Sequence, residues 1–220
     1  MERNNNCWYK DICKLDCHNC VRYRTIVDML ERSELPKAQW YPDRLTPTTE
    51  EDKRTFGKLK DIQRKIDKYI EHGYNFFLGS IESGTGKTTW AIKLMLSYFD
   101  KKWSTSGIDS VGLFVHVPTL LRQLKNFSNP VSDEYIEKIK ESDVVIWDDI
   151  ATTPLTDYEY NQLLVLIDSR TINKKSNIYT SNVVSKDELL KVLGARLTSR
   201  VYNSSIVAIF TGKDVRGIVL

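Results

Sequence analysis

The stretch Phe76–Thr89, FFLGSIESGTGKTT, limits what this chain can fold into more than any other. An apolar run ends in a glycine-punctuated loop, and Gly86-Lys87-Thr88 opens the next helical pattern. A helix starting there presents unpaired N–H groups and the positive end of its dipole, a seat for phosphate. Gly84 and Gly86 let the backbone approach closely, with Ser83, Thr85 and Thr89 completing the loop. Lys87 is placed to reach β and γ oxygens, and the Thr88 hydroxyl is suited to Mg²⁺. The strict pattern asks for glycine at position 81; this chain has Ile81, and Gly79 comes two residues too early. Glu82 adds a negative charge that the loop tolerates only with its side chain turned outward. An ordinary glycine-rich turn is the competing reading, and the strand–loop–helix context speaks against it. The stretch predicts a nucleoside triphosphate site.

A second landmark is DVVIWDDI, residues 143–150. Its apolar residues predict a buried strand that delivers Asp148 and Asp149 at its C-terminal end, the edge where open α/β sheets bind ligands. Asp148 is expected in the Mg²⁺ shell and Asp149 as the group polarising the attacking water. Many such ATPases carry glutamate at the second position. Two acids capping the following turn are the structural alternative.

The remaining elements follow from periodicity and caps. Val21–Glu34 predicts a helix stopped by Leu35-Pro36, and Lys37–Pro47 an extended connector containing the domain boundary. A capping box, Thr48-x-x-Glu51, opens a helix with the stripe Phe56, Leu59, Ile62, Ile66 and Tyr69. Its outer face, including Lys53, Arg54, Lys58, Lys60, Arg64, Lys65 and Lys68, reads as a solvated surface. A helix continues from Lys87 to about Trp103. Leu113–Val117 predicts a strand ended by Pro118, with His116 read as a core residue. A short helix and one capped by Ser132 precede the acidic strand. The capping box Thr156-x-x-Glu159 opens a helix to about Thr171, whose LLVLI run alone is also compatible with a strand. Asn177–Asn182 predicts a strand, Ser185-x-x-Glu188 caps the next helix, and Ser205–Phe210 is the last strand.

Composition adds bounds. With 220 residues and 41% hydrophobic content, one good core and a small appendage are expected. The formal net charge of +3 permits nucleic-acid contact without calling for it. No apolar run has the length of a membrane span, and MERNNN is no signal peptide, so a cytoplasmic location is the expectation. The 4 cysteines all fall in the opening, as Cys7-x5-Cys13-x3-Cys17-x2-Cys20. Four thiolates so close can enclose one Zn²⁺, with His18 able to replace one of them; free cysteines or a redox pair are the alternative. A segment this small would draw its folding free energy from the metal.

Apolar strands alternating with helices imply a parallel sheet covered on both faces. The order of GTGKTT, VVIWDDI, IYTSN, LGARLTSRVYN and GKDVRG, over roughly Lys53–Leu220, resembles the AAA+ ATPases. Most closely it resembles the DnaC/DnaI-type replicative helicase loaders, including phage-encoded ones. The resemblance implies a five-stranded AAA+ core over residues 46–220 with a reduced C-terminal lid. Residues 1–45 would form a zinc module and linker that grip the helicase. It implies Asn182 as the sensor that orients water beside the γ-phosphate and Arg200 as the finger entering a neighbouring subunit's site. Arg216 would be the second sensor, and Arg196, one turn before Arg200, competes for the finger. ATP, Mg²⁺ and Zn²⁺ are the implied cofactors. A replicative ring helicase, single-stranded DNA and further copies of the chain are the implied partners. Transposition-helper ATPases of the IstB type share the core, and a small-molecule P-loop kinase shares the phosphate loop; the kinase has no use for a sensor asparagine with a finger arginine.

Overall fold

The computed structural model describes residues 20–105, 111–126 and 130–213, together with Cys7 and Ser128. Asn75–Gly79 (β1), Gly112–His116 (β2), Val144–Asp148 (β3), Ser176–Ser181 (β4) and Ser205–Ile209 (β5) form one sheet. Its order is β2-β3-β4-β1-β5, and each neighbouring pair is parallel. The pleat splits the apolar runs between two layers. Phe76, Leu78, Ile146 and Ile178 enter one core, while Phe77, Val145, Trp147 and Tyr179 enter the other. Helices α1 (Val21–Arg32), α2 (Glu50–Arg64), α3 (Ile66–Glu71) and α4 (Lys87–Lys102) cover the first layer. Helices α5 (Val117–Leu124), α6 (Asp133–Glu141), α7 (Asp157–Ile172) and α8 (Lys186–Thr198) cover the second. The five-stranded parallel core with helices on both faces is therefore as the sequence predicts. Because β4 lies between β3 and β1, the C-terminal ends of these three strands open side by side.

Two of the four expected caps form as predicted. Thr156 and Glu159 bond reciprocally at the start of α7, and Ser132 accepts from the Tyr135 amide. The N-cap of α2 is Thr49 rather than Thr48, and it accepts from the Asp52 amide. The Thr48 hydroxyl instead donates to the buried Asp52 carboxylate, which also takes the Thr211 amide and so ties α2 to the segment after β5. Ser185 stands at the start of α8 without a side-chain cap bond. The stripe Phe56, Leu59, Ile62 and Ile66 is buried, but the helix breaks at Lys65 (φ −122°), dividing α2 from α3. The basic outer face is exposed throughout. Helix α8 bends at Gly194 (φ 71°), and Ser199–Asn203 then forms a π-helical turn that carries Arg200.

Helix α1 and the connector are packed onto the first layer. Ile26, Met29, Leu30, Leu35 and Trp40 are buried there, and the Ser33 carbonyl accepts from the Phe114 amide at 2.8 Å. Cys7 is buried and Cys20 half-buried. Cys13, Cys17, His18 and Arg216 lie outside the described residues, and with them the zinc reading and the second sensor. Among the described residues no helix is long and apolar enough to cross a membrane.

Candidate nucleotide site

The loop after β1 takes its shape from two left-handed glycines, Gly84 (φ 69°) and Gly86 (φ 94°). A Cβ on Gly86 would sit 2.6 Å from a Leu45 methyl, so any side chain there is strained and crowded. Gly86 is also the N-cap of α4 and has no side chain to offer, which leaves the first-turn N–H groups without intrahelical partners. Ile81 explains its own departure from the strict pattern. It is not among the positive-φ residues and is 76% exposed, so glycine is not needed where the chain bends at 84 and 86 instead. Glu82 is exposed, as the loop requires, and its carbonyl accepts from Lys87 Nζ at 3.2 Å. The buried hydroxyls of Ser80 and Thr85 have no hydrogen-bond partner among the described residues.

The acid pair arrives from β3. Asp148 Oδ1 accepts from the Thr88 and Thr180 hydroxyls, each at 2.8 Å, which joins the phosphate-loop helix to β3 and β4. Burial pushes the Asp148 carboxyl above its ordinary range; the two hydroxyls work against that shift, and the Asp149 charge adds to it. Asp149 leaves the strand in a left-handed conformation, φ 59°, uncommon for a residue with a Cβ. Its amide donates to Thr180 Oγ1 at 3.0 Å and its carbonyl accepts from Thr152 Oγ1 at 2.6 Å, so the turn is fixed from both sides. Asn182 follows β4 and reaches Asp149 Oδ1 at 3.5 Å. Ser83, Gly84, Gly86, Lys87, Thr88, Thr89, Asp148, Asp149 and Asn182 all line one cavity of about 760 Å³. Thr85 lies buried beside it.

Three features of this edge escape the sequence reading. His116 is not a core residue: its side chain is 44% exposed at the end of β2, in register with Asp148, and Nε2 lies 3.9 Å from Asp149 Oδ2. The last residue of a strand leaves the two covered faces, which the LFVHV pattern does not announce. Thr180, next to last in β4, holds both Asp148 and the Asp149 amide. The connector supplies a wall of the cavity through Tyr41, Pro42, Asp43, Arg44, Leu45, Thr46 and Thr48. Its first residues, Lys37–Gln39, form a 3₁₀ turn closed at Trp40 rather than the extended run expected.

The structure does not bring Arg196 or Arg200, the two arginines expected to serve as a finger, to this cavity. Arg200 Nε donates to Asp168 Oδ1 on α7 at 2.7 Å, and Arg196 lies 3.8 Å from the other oxygen of the same carboxylate. Neither lines the cavity.

A triphosphate and a divalent cation fit what is present: an uncapped helix start, a loop that no Cβ obstructs, a buried lysine, and a hydroxyl–carboxylate pair at its base. No family model matches this sequence, and no curated protein matches it. Solved structures share its fold. The crystal structure of the DnaC helicase loader superposes with a TM-score of 0.67 at 20% identity, over 80% of this chain and 100% of that one. That of DnaI gives 0.65 at 18% identity, over 83% and 95%. The replication initiator DnaA bound to AMPPCP and single-stranded DNA gives 0.54 at 15% identity, over 75% of this chain and 48% of the initiator's.

Proposed function

We propose that the chain is an AAA+ ATPase that loads a replicative ring helicase, binding ATP between adjacent copies of itself on single-stranded DNA. The observation that carries the reading is the convergence of Lys87, Thr88, Asp148, Asp149 and Asn182 on one cavity at the C-terminal edge of the sheet. The likeness to a helicase loader supports the choice of partner, and the initiator held with AMPPCP and single-stranded DNA supports the ligands. A transposition helper would share the ATPase core, and a small-molecule kinase only the phosphate loop.

In this reading the α4 N-terminus and Lys87 bind the phosphates, with Ser83, Gly84, Thr85, Gly86 and Thr89 shaping the loop around them. Thr88 and Asp148 would hold Mg²⁺, whose chemistry is to offset charge on the phosphate oxygens. Asp149 accepts the proton of the attacking water, and Asn182 orients that water. Arg200, or Arg196 one turn earlier, serves a neighbouring copy's site; both being absent from this chain's own cavity supports that assignment. The arginine used must then exchange Asp168 for the neighbour's phosphate. Arg216 is assigned as second sensor on sequence resemblance alone. The cysteine spacing supports one Zn²⁺ on Cys7, Cys13, Cys17 and Cys20, in a module that contacts the helicase.

Lys87→Ala is expected to weaken ATP binding by at least about 100-fold, the loss of charge-assisted hydrogen bonds worth roughly 3 kcal/mol, with the fold retained. ATP affinity measured by calorimetry checks this, and an unchanged affinity would sink the site. Co-purification with a replicative ring helicase, with and without ATP, checks the partner. The purified chain is further expected to carry one equivalent of zinc by elemental analysis. Cys13→Ser with Cys17→Ser should lose it and helicase capture together, while ATP binding stays. Point substitution is the right tool here, because deleting residues 1–45 would also strip Ile26, Leu30 and Trp40 from the core.

A further inference from the structure

Two residues of the phosphate loop have no use for a triphosphate. Ile81 stands where the strict pattern takes glycine and is 76% exposed, and Glu82 beside it is exposed as well. It is the Glu82 carbonyl that meets Lys87; its carboxylate makes no ion pair among the described residues. Helix α7 shows a similar imbalance. In its LLVLI run the leucines and Ile167 are buried, yet Val165 is 61% exposed. Asn161, Val165, Asp168 and Ile172 follow at helical spacing and form one stripe, and Ile172 is 79% exposed. With Leu164 and Arg196 they line a groove of about 560 Å³. Arg196 keeps 72% of its side chain exposed at the groove, 3.8 Å from Asp168, whereas Arg200 holds the same carboxylate at 2.7 Å.

Building on the reading of a site shared between copies, we propose that the α7 groove docks a second copy of this chain by its Ile81-Glu82 shoulder. Ile81 packs between Val165 and Ile172, and Glu82 pairs with Arg196. Complementarity decides the occupant: the groove is apolar along α7 and cationic at Arg196, and the shoulder is apolar at 81 and anionic at 82. Position agrees with it. Arg200 and Arg196 share Asp168 beside the groove, so an Arg200 that reaches a neighbour's phosphates brings the groove against the rim of that neighbour's phosphate loop. Ile81 is the large apolar side chain exposed on that rim. The two faces are different surfaces of one chain, so the contact runs head to tail and repeats from copy to copy. It also divides the arginines, with Arg196 gripping the loop from outside and Arg200 entering it. Because Arg196 already stands beside Asp168, that carboxylate keeps a cation when Arg200 leaves.

The test uses the full chain with AMPPCP and an oligothymidylate, and follows self-association by sedimentation velocity. Concentration-dependent assembly of the parent is the expected result. Glu82→Arg sets two cations face to face and Arg196→Glu sets two anions, so each should weaken assembly by about 10-fold or more. The chain carrying both reversals restores the pair and should assemble within about 3-fold of the parent, where independent sites would multiply the losses to roughly 100-fold. Val165→Asp should also weaken assembly, while its affinity for AMPPCP, measured by calorimetry at a dilution that keeps the chain monomeric, stays at the parent's value. A parent that binds no AMPPCP overturns the ATPase reading and this docking together. A parent that binds AMPPCP yet stays monomeric, reversals whose losses multiply, or a Val165→Asp chain that assembles like the parent overturns the docking and leaves the nucleotide site standing.

Discussion

Strand β4 carries polar groups to both ends of the sheet and ends them differently. At its N-terminal end Asn177 Oδ1 accepts from Trp147 Nε1 at 2.9 Å and Arg170 Nε at 2.7 Å, while its amide nitrogen donates to Asn75. Arg170, fully buried, also donates to the carbonyls of Ile139 and Ser142, at 2.6 and 2.8 Å, and to that of Ser176. The first two are carbonyls where α6 runs out of intrahelical partners, so the guanidinium closes that helix as it fills the core. Burial lowers the Arg170 pKa to about 9, which leaves it cationic at neutral pH. At the C-terminal end, Asp148 keeps an oxygen unused, Asp149 is held in a left-handed turn, and the Ser80 and Thr85 hydroxyls find no partner among the described residues. Buried polar groups are tolerated when satisfied. One end uses its hydrogen-bonding capacity for stability, and the other holds capacity back for a ligand.

The largest effect should come from removing what completes the open end. If Arg200 acts on a neighbouring copy, Arg200→Ala should bind ATP nearly normally and hydrolyse it about 10³-fold or more slowly. Mixing it with Lys87→Ala should restore part of the activity, because an intact phosphate loop from one variant meets an intact arginine from the other. Steady-state ATPase rates of the variants, alone and mixed, measure this. A mixture that stays dead, with parent activity flat against protein concentration, would mean the site is complete within one copy. Rescue that instead follows Arg196→Ala moves the finger one turn earlier.

Breaking the closed end should act on stability. Arg170→Ala takes the guanidinium donor from the carbonyls of Ile139, Lys140, Ser142 and Ser176, leaves Asn177 Oδ1 with Trp147 Nε1 alone, and opens a cavity the size of a long side chain. The expected cost is about 3–5 kcal/mol, read as a lower midpoint in urea. ATP affinity measured well below that midpoint should be unchanged, since no Arg170 partner lines the nucleotide cavity. A loss under about 1 kcal/mol would mean that backbone hydration replaces the guanidinium and that the contrast between the ends is not energetic.

This contrast also shows what could be read from the chain beforehand. The strands, their parallel arrangement, the phosphate loop and the acid pair are legible because each is local: an apolar run, two glycines before a lysine, two adjacent acids. Arg170 is not legible, as its partners come from α6 and β4 and nothing in DSRTI marks the arginine as buried. His116 departs from the core position expected of it for a related reason, since a strand pattern gives the faces but not the residue at which the strand leaves them. The connector's part in the site is not legible either, since it comes from Tyr41–Thr46 lining the cavity and Leu45 packing against Gly86. Cap signals fixed helix starts to within a residue, but Asp52 drew Thr48 away from its expected role because it needed donors from two sides.

The smallest effect is a change of sign at Asp148. Its carboxyl titrates above the ordinary carboxylate range because burial disfavours the charge. Between the unfolded value and the raised one, the folded chain binds a proton that the unfolded chain has already lost. The slope of unfolding free energy with pH is then negative, so the metal-free protein should lose stability as pH rises through that window. Asp148→Asn removes the charge while keeping an acceptor for Thr88 and Thr180. It should flatten the dependence and raise Tm above the window slightly, by roughly 2–4 °C for about 1 kcal/mol in a chain of this size. Mg²⁺ with ATP favours the ionised carboxylate, so the same ligand should reverse the trend in the parent protein and leave the Asn variant unmoved. Thermal melts across pH, with and without the nucleotide, separate the cases. An Asn variant with the parent's pH dependence would place the titrating group elsewhere, and the open end would then owe nothing to an unpaid carboxylate.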